Sequence, residues 1–164
     1  MEDAAVGFAA DTVGGASGAR RQSGARMMRG SCLCGSVKYQ INGRLFDALN
    51  CHCTMCRKAH GAAFRSRATV KAVDFEWLQG EGAVTFYESS PGNHRGFCRI
   101  CGSPIVSKFD AHPKYLGLPL GALDDDPGIR PRLHMHVANK APWFTITDDL
   151  PQIPGEAPES PEDD

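Results

Sequence analysis

All seven cysteines of this 164-residue chain fall in three tight clusters, and that distribution constrains the fold more than any other feature. Cys32-Leu33-Cys34 is a C-x-C. Cys51-His52-Cys53-Thr54-Met55-Cys56 is a C-x-C-x-x-C, and Cys98-Arg99-Ile100-Cys101 is a C-x-x-C followed by Gly102. Thiolates so spaced can face one ion, because a tight turn brings both sulfurs within reach of a tetrahedral centre about 2.3 Å away. Gly35 and Gly102 directly follow their pairs and permit the positive φ such turns need. Disulfides fit poorly: the count is odd, adjacent C-x-C bridges are strained, and no apolar secretory core is visible. A thioredoxin-like C-x-x-C would need a βαβ setting that the pattern lacks. Iron–sulfur ligation also uses thiolates and stands as the alternative to zinc.

Ligand counting separates the clusters. A structural zinc is closed by four ligands, whereas a catalytic zinc keeps one position open. Cys32, Cys34, Cys98 and Cys101 can close one site and so cross-link two distant segments of a small β-domain. Cys51, Cys53 and Cys56 would hold a second zinc with a vacancy, where the ion lowers the pKa of a thiol or water placed on it. The competing reading is a second structural site, with His60 filling the vacancy. His52 lies between two ligands, so its side chain should point away from the metal.

The rest of the chain reads as one mainly β domain. Hydrophobic residues are 41% and charged residues 23%, enough to build a core. Val37, Tyr39 and Ile41 alternate with polar residues, as in a half-buried strand, and Asn42-Gly43 marks a turn. Residues 84–87 and 104–109 are further strand candidates. Residues 134–137 read as a late strand, followed by a Pro-Trp-Phe turn into residues 145–147. One short helix is expected over residues 56–60, ended by Gly61. The expected division is a Gly/Ala-rich arm over 1–29, the domain over 30–150, and an acidic, proline-rich tail over 151–164 without order. An upstream start codon or a degenerate targeting peptide are alternative readings of the arm.

Residues 30–150 hold 14 basic and 11 acidic residues, a balance of +3; the arm carries +1 and the tail −5. Such a balance disfavours nucleic-acid binding. No run of about 18 apolar residues is present, so no membrane span is expected. A cytoplasmic location is expected for a chain rich in unpaired thiols.

These motifs resemble the glutathione-dependent formaldehyde-activating family, GFA, which includes the centromere protein V domain. The resemblance lies in Gly30-Ser31-Cys32-Leu33-Cys34-Gly35; in Cys51 to Arg57 with Gly61-Ala62 and Phe64; and in Phe97 to Ser103. It continues through Gly121-Ala122-Leu123-Asp124-Asp125, Lys140-Ala141-Pro142-Trp143 and Asp148-Asp149-Leu150-Pro151. The chain looks like a short member. The resemblance implies a β-tent of several small coiled sheets stapled by zinc, with two zinc ions per chain. One would be structural, on Cys32, Cys34, Cys98 and Cys101, and one catalytic, on Cys51, Cys53 and Cys56. The implied activity is of carbon–sulfur lyase type on a thiol adduct, such as S-hydroxymethylglutathione formation from glutathione and formaldehyde. The alternative is a non-enzymatic zinc-stabilised β scaffold that binds a protein or thiols.

Around the open cluster, Arg57, Phe64, Arg65 and Arg67 are candidate substrate contacts, since guanidinium groups can meet carboxylates or stabilise a thiolate. His52 and His60 are the candidate general bases. Lys58 reads as a solvated helix residue and Trp143 as a packing anchor. His134 and His136, on one face of the late strand, are assigned a structural or surface role, and Asp124 to Asp126 a turn.

Overall fold

The structure, a computed structural model, describes residues 27–158. Most of the expected arm, residues 1–26, and the last six residues of the tail lie outside the described residues.

Ten strands and one α-helix make up the described chain. In order they are β1 (Met28–Ser31), β2 (Lys38–Ile41), β3 (Phe46–Cys51), α1 (Thr54–His60), β4 (Arg65–Lys71) and β5 (Phe75–Gln79). There follow β6 (Val84–Ser90), β7 (Asn93–Cys98), β8 (Pro104–Phe109), β9 (Tyr115–Pro119) and β10 (His134–Met135). They form a three-stranded sheet, ordered β1-β2-β5, and a seven-stranded sheet, ordered β10-β3-β4-β9-β8-β7-β6. The mainly β class expected from the strand pattern is the one observed.

Burial alternates along β1, β2 and the second half of β4, whereas β3, β8 and β9 bury runs of consecutive residues. Tyr39 and Ile41 of β2 are fully buried, as are Ala68 and Val70 of β4, Ile105 of β8 and Leu118 of β9. Together with Met28 and Val37 they form the main core. Each large side chain so buried contributes about 1.5–3 kcal/mol. A second, smaller cluster gathers Leu49, Cys51, Cys56, Leu133 and Met135 beneath α1. The helix begins two residues before its expected start. Cys53 caps it, its sulfur accepting from the Cys56 amide at 3.3 Å. Gly61 ends it in the left-handed region, at φ 56°, as expected.

Three expectations fail at the C-terminal end. The late strand is only two residues long, because His136 takes φ 56° and breaks the extended backbone. His134 and His136 therefore do not share a strand face. Residues 145–147 form no strand. Trp143 is 71% exposed rather than a buried anchor, its ring edge-on to Phe144 at 6.3 Å, while Phe144 itself turns inward onto Phe64.

Residues 151–155, assigned to the tail by composition, carry a backbone ladder. His134 N–H donates to the Pro151 carbonyl and Ile153 N–H to the His134 carbonyl, each at 2.8 Å. His136 N–H donates to Gly155 at 2.8 Å. The outer edge of β10 would otherwise present unpaired groups, and this segment satisfies them. At the other end, Met28 and Arg29 belong to β1 rather than to the arm.

One contact sets how close β1 comes to β2. Gly30 lies opposite Tyr39, whose ring stacks on Phe75 at 5.1 Å and whose hydroxyl donates to the Ala122 carbonyl at 3.1 Å. A Cβ on residue 30 would fall within the Tyr39 ring. Gly30→Ala should therefore cost about 1–3 kcal/mol through overpacking. A thermal melt should show a midpoint lower by roughly 4–12 °C; an unchanged midpoint would refute the close-approach account.

Candidate functional site

The two-cysteine clusters meet where the sheets come together. Cys32 and Cys34 follow β1; Cys98 ends β7 and Cys101 sits in the turn to β8. Each pair occupies a tight turn closed by backbone bonds. Gly35 N–H donates to the Cys32 carbonyl at 2.9 Å and Gly102 N–H to the Cys98 carbonyl at 2.8 Å. Both glycines have positive φ, 72° and 77°. The Leu33 amide donates to Ser103 Oγ at 3.0 Å, tying one turn to the other. All four sulfurs lie within 4.8 Å of one another. Cys32 and Cys34 Sγ are 3.5 Å apart, Cys34 and Cys98 Sγ 3.9 Å. A tetrahedron with metal–sulfur bonds of 2.3 Å has edges of about 3.8 Å, so the four thiols fit one ion. Ser103, 3.3 Å from Cys101 Sγ, is the first cause of that thiol's fall to about 5, which favours the ligating form.

The three-cysteine cluster bridges the end of β3 and the start of α1. Its sulfurs also lie within 4.8 Å of one another. Cys51 and Cys56 are buried and Cys53 is half-buried. The Cys56 thiol is held far below the usual thiol range. Hydrogen bonds from the Cys51 and Cys53 thiols come first among the causes, and the charges of Arg95 and Arg65 add to them against burial. Cys51 is pushed the other way, because its proton is the one shared with its neighbours. The cluster thus favours a thiolate at Cys56 and has three donors where a closed site needs four.

Arg95, on β7, is the residue that the sequence pattern did not single out. Its Nη2 lies 3.7 Å from Cys56 Sγ, and its Nε donates to Ser89 Oγ at 2.9 Å. Nothing in His94-Arg95-Gly96 marks it, since only strand pairing carries β7 to the cluster. Arg95 and Arg65 line a cavity of about 270 Å³ with His60, Tyr87, Phe97 and Val106. An adjoining cavity of about 580 Å³ shares Arg65 and His60 and adds Phe64, Ser66, Ser103 and Asp124. The larger is in the range of small-molecule sites and the smaller lies just below it. Arg65 is 5% exposed; its Nη1 donates to Ser107 Oγ at 3.2 Å and its Nη2 to the Gly117 carbonyl at 3.1 Å. Its buried Nε has no protein partner. Burial is the main cause that lowers the guanidinium to about 10, so it remains charged at neutral pH.

The other candidates are placed as follows. Phe64 lines the larger cavity and packs against His52, their ring centroids 5.0 Å apart. Arg67, expected beside Arg65, turns to Asp47 at 3.7 Å and to Thr69 Oγ1 at 3.4 Å, and lines neither cavity. Arg57 lines neither cavity; its Nε is buried without a protein partner. His52 is fully buried and points away from the cysteines, its Nε2 2.7 Å from His134 Nδ1. Burial, first, holds it down to about 4. His60 closes α1 and lines both cavities; burial and then Arg65 lower it to about 4, so the imidazole there is neutral. Asp124 and Asp125 form the expected turn and also fasten β1, accepting from Ser31 Oγ at 2.8 Å and the Arg29 amide at 2.9 Å.

Comparison with known proteins agrees with this geometry. A crystal structure of a Rhodobacter sphaeroides protein superposes with a TM-score of 0.52 at 27% identity, covering 63% of this chain and 98% of that one. A Halomonas elongata protein, provisionally named a glutathione-dependent formaldehyde-activating enzyme, is 27% identical over 128 residues, which is 73% of this chain and 81% of the relative. The family model described as glutathione-dependent formaldehyde-activating enzyme matches residues 27–139. That span runs from β1 through β10 and takes in every cysteine of the chain, which therefore belongs to the GFA family.

Proposed function

We propose that the chain is a zinc-dependent enzyme of carbon–sulfur lyase type that acts on a thiol adduct. Within that class the reaction favoured is the joining of glutathione and formaldehyde into S-hydroxymethylglutathione, or its reverse. The carrying observation is Arg95, which lines the smaller cavity with Arg65 and the neutral His60 and reaches Cys56 Sγ of the three-donor set at 3.7 Å. Family membership and the name of the Halomonas relative support the choice of substrates. Cys32, Cys34, Cys98 and Cys101 would hold a structural ion; Cys51, Cys53 and Cys56 would hold the other. A zinc ion bound by three thiolates supplies a soft Lewis-acidic position that lowers the pKa of a thiol.

The balanced reaction is an addition. The thiol sulfur attacks the carbonyl carbon, a carbon–sulfur bond forms, and the π pair of the carbonyl moves to its oxygen. The proton lost from sulfur ends on that oxygen, and nothing is oxidised or reduced. Arg95 and Arg65 place positive charge beside Cys56, where a substrate thiolate or carboxylate would be attracted. His60 Nδ1 or Nε2, uncharged at neutral pH, can receive the thiol proton and return it to the new hydroxyl. His52 is sealed away from the cavity, so His60 is the base we favour. Phe64, Phe97 and Val106 exclude water around the reacting carbon. Thiols in this role need a reducing compartment, which fits a cytoplasmic site of action; the seven cysteines are all free. Among the described residues, no helix is long and apolar enough to cross a membrane.

Three outcomes test this reading. Elemental analysis of protein purified without added metal should give close to two zinc ions per chain; about one, or mainly iron, would overturn the metal assignment. Cys98→Ser should abolish cooperative folding, because it opens the link between the sheets. Cys53→Ser should keep a cooperative melt and lose ligand binding; equal, severe destabilisation of both variants would mean two structural sites. Calorimetric titration should show glutathione binding with proton release and S-methylglutathione binding much more weakly. Arg95→Gln should weaken glutathione binding by about tenfold, the loss of one charge-assisted hydrogen bond. Equal binding of both thioether and thiol would exclude the cysteine cluster as the sulfur's position, and formaldehyde consumption no faster than in buffer would exclude the named reaction.

A further inference from the structure

A buried chain of polar groups runs from the protein surface to the middle residue of the open cysteine cluster. It begins at Asp148, half-exposed on the loop after Phe144. Both Asp148 carboxylate oxygens lie 3.1 Å from His134 Nε2. His134 is 1% exposed, and its Nδ1 is 2.7 Å from Nε2 of fully buried His52. A carboxylate only accepts, so His134 Nε2 must carry a proton. With that proton on Nε2, a bare His134 Nδ1 accepts from His52 Nε2–H, and the tautomers of both rings follow from Asp148. His52 is further held between Phe64 and Phe144, with ring centroids 5.0 and 6.1 Å away. Lys140 donates to the Phe144 carbonyl and so fixes that ring's loop.

The position of His52 gives this chain its meaning. Successive side chains of extended backbone point to opposite faces, so Cys51 and Cys53 face one way and His52 the other. Any rotation about the His52 backbone swings both flanking sulfurs. The His52 amide is already held, donating to the Met135 carbonyl at 3.0 Å. The ring is the second handle, and without it the residue keeps one hinge free. Neither the proposed chemistry nor the core packing explains why a histidine pair and a surface carboxylate are aligned here.

We propose that Asp148 and His134 are positioning residues that act through His52 to hold Cys51, Cys53 and Cys56 in one ligand geometry. This rests on the reading of those three cysteines as a single ligand set. It assigns a role to the Asp148-Asp149-Leu150-Pro151 motif: a C-terminal loop residue sets the orientation of a metal cluster formed in the first third of the domain.

The test uses the full-length protein loaded with zinc and three variants: Asp148→Ala, Asp148→Asn and His134→Gln. Zinc release to a chromophoric chelator should be biphasic in the wild type. Asp148→Ala and His134→Gln should speed one phase by about tenfold or more, the usual effect of removing a group that orients a ligand, and leave the other phase unchanged. Asp148→Asn keeps an acceptor for His134 and should fall between. The double variant should be no faster than the faster single one, since both substitutions cut one chain. Side-chain nitrogen correlations should show the His52 ring protonated at Nε2 in the wild type and mixed in Asp148→Ala. Asp148 also accepts from the Leu150 amide at 3.1 Å, and His134→Gln, which leaves that bond alone, separates a loop effect from the relay. Unchanged release in both variants, or both phases speeding together with a collapsed melt, would overturn the proposal. If the wild type holds metal only at the four-cysteine site, the open-site reading fails; the His52 tautomer and the alkylation rates of Cys51 and Cys53 in the variants then decide the positioning role separately.

Discussion

The convergence of four sulfurs from two distant turns is the constraint around which the rest of the domain is arranged. The three-stranded sheet offers only four- and five-residue strands, knit together by the aromatic cluster around Tyr39, and it meets the larger sheet through the shared core of Met28, Val37, Tyr39 and Ile41 against Ala68, Val70 and Leu118. A small β-domain of this kind needs a staple beyond its core. The Cys32–Cys34 turn supplies it at one edge and the Cys98–Cys101 turn at the other, with the Leu33–Ser103 bond fastening them directly. These turns join the end of β1 in one sheet to the β7–β8 connection in the other. Gly30 must lie against Tyr39, and the Asp124-Asp125 turn must close over Ser31 and Arg29.

The second cluster works by the opposite logic. Its sulfurs are set by local structure, the end of a strand and the cap of a short helix, but their electrostatics come from other strands, Arg65 nine residues beyond Cys56 and Arg95 far along the chain. Arg95 arrives from β7 and Arg65 from β4. A buried guanidinium is costly unless it is paired, and Arg65 spends only part of its donors on Ser107 and Gly117. The charge left over is directed at the place where a thiolate would sit. The site is thus a compromise in which burial strengthens the field of two cations at the expense of some stability.

Much of this was legible in the residues alone. Cysteine spacing identified both clusters, because turn geometry makes short-range spacing nearly equivalent to proximity. Alternation located β2, β-branched and aromatic runs located β6 and β8, and Gly61 located the helix end. The pattern failed where tertiary contacts override local signals. Composition assigned 151–155 to a tail, yet β10 needs exactly that backbone as its neighbour, and hydrogen-bond demand is invisible in composition. His134-Met135-His136 looks extended, but the left-handed turn at His136 sends its two histidines to different environments. Arg95 carries no local mark at all: a residue four strands away from β3 in the sheet can be placed beside its cluster only by the pairing of a whole sheet. Trp143 and Phe144 show the same limit at the scale of one peptide unit, since either ring could have been the one turned inward.

The parallel pairing of β10 with β3 has a consequence for how the protein comes into being. As the chain leaves the ribosome, the four-cysteine site is complete once Cys101 and Ser103 have emerged. The strand bearing Cys51 pairs early with β4, but its other edge waits for His134 and Met135, and those in turn for Pro151 to Gly155. The four-cysteine turns can therefore meet while synthesis continues, whereas the open cluster acquires its outer edge only when residues 151–155 appear. The two cysteine sets are thus completed in order, the one that joins the sheets before the one beside Arg95.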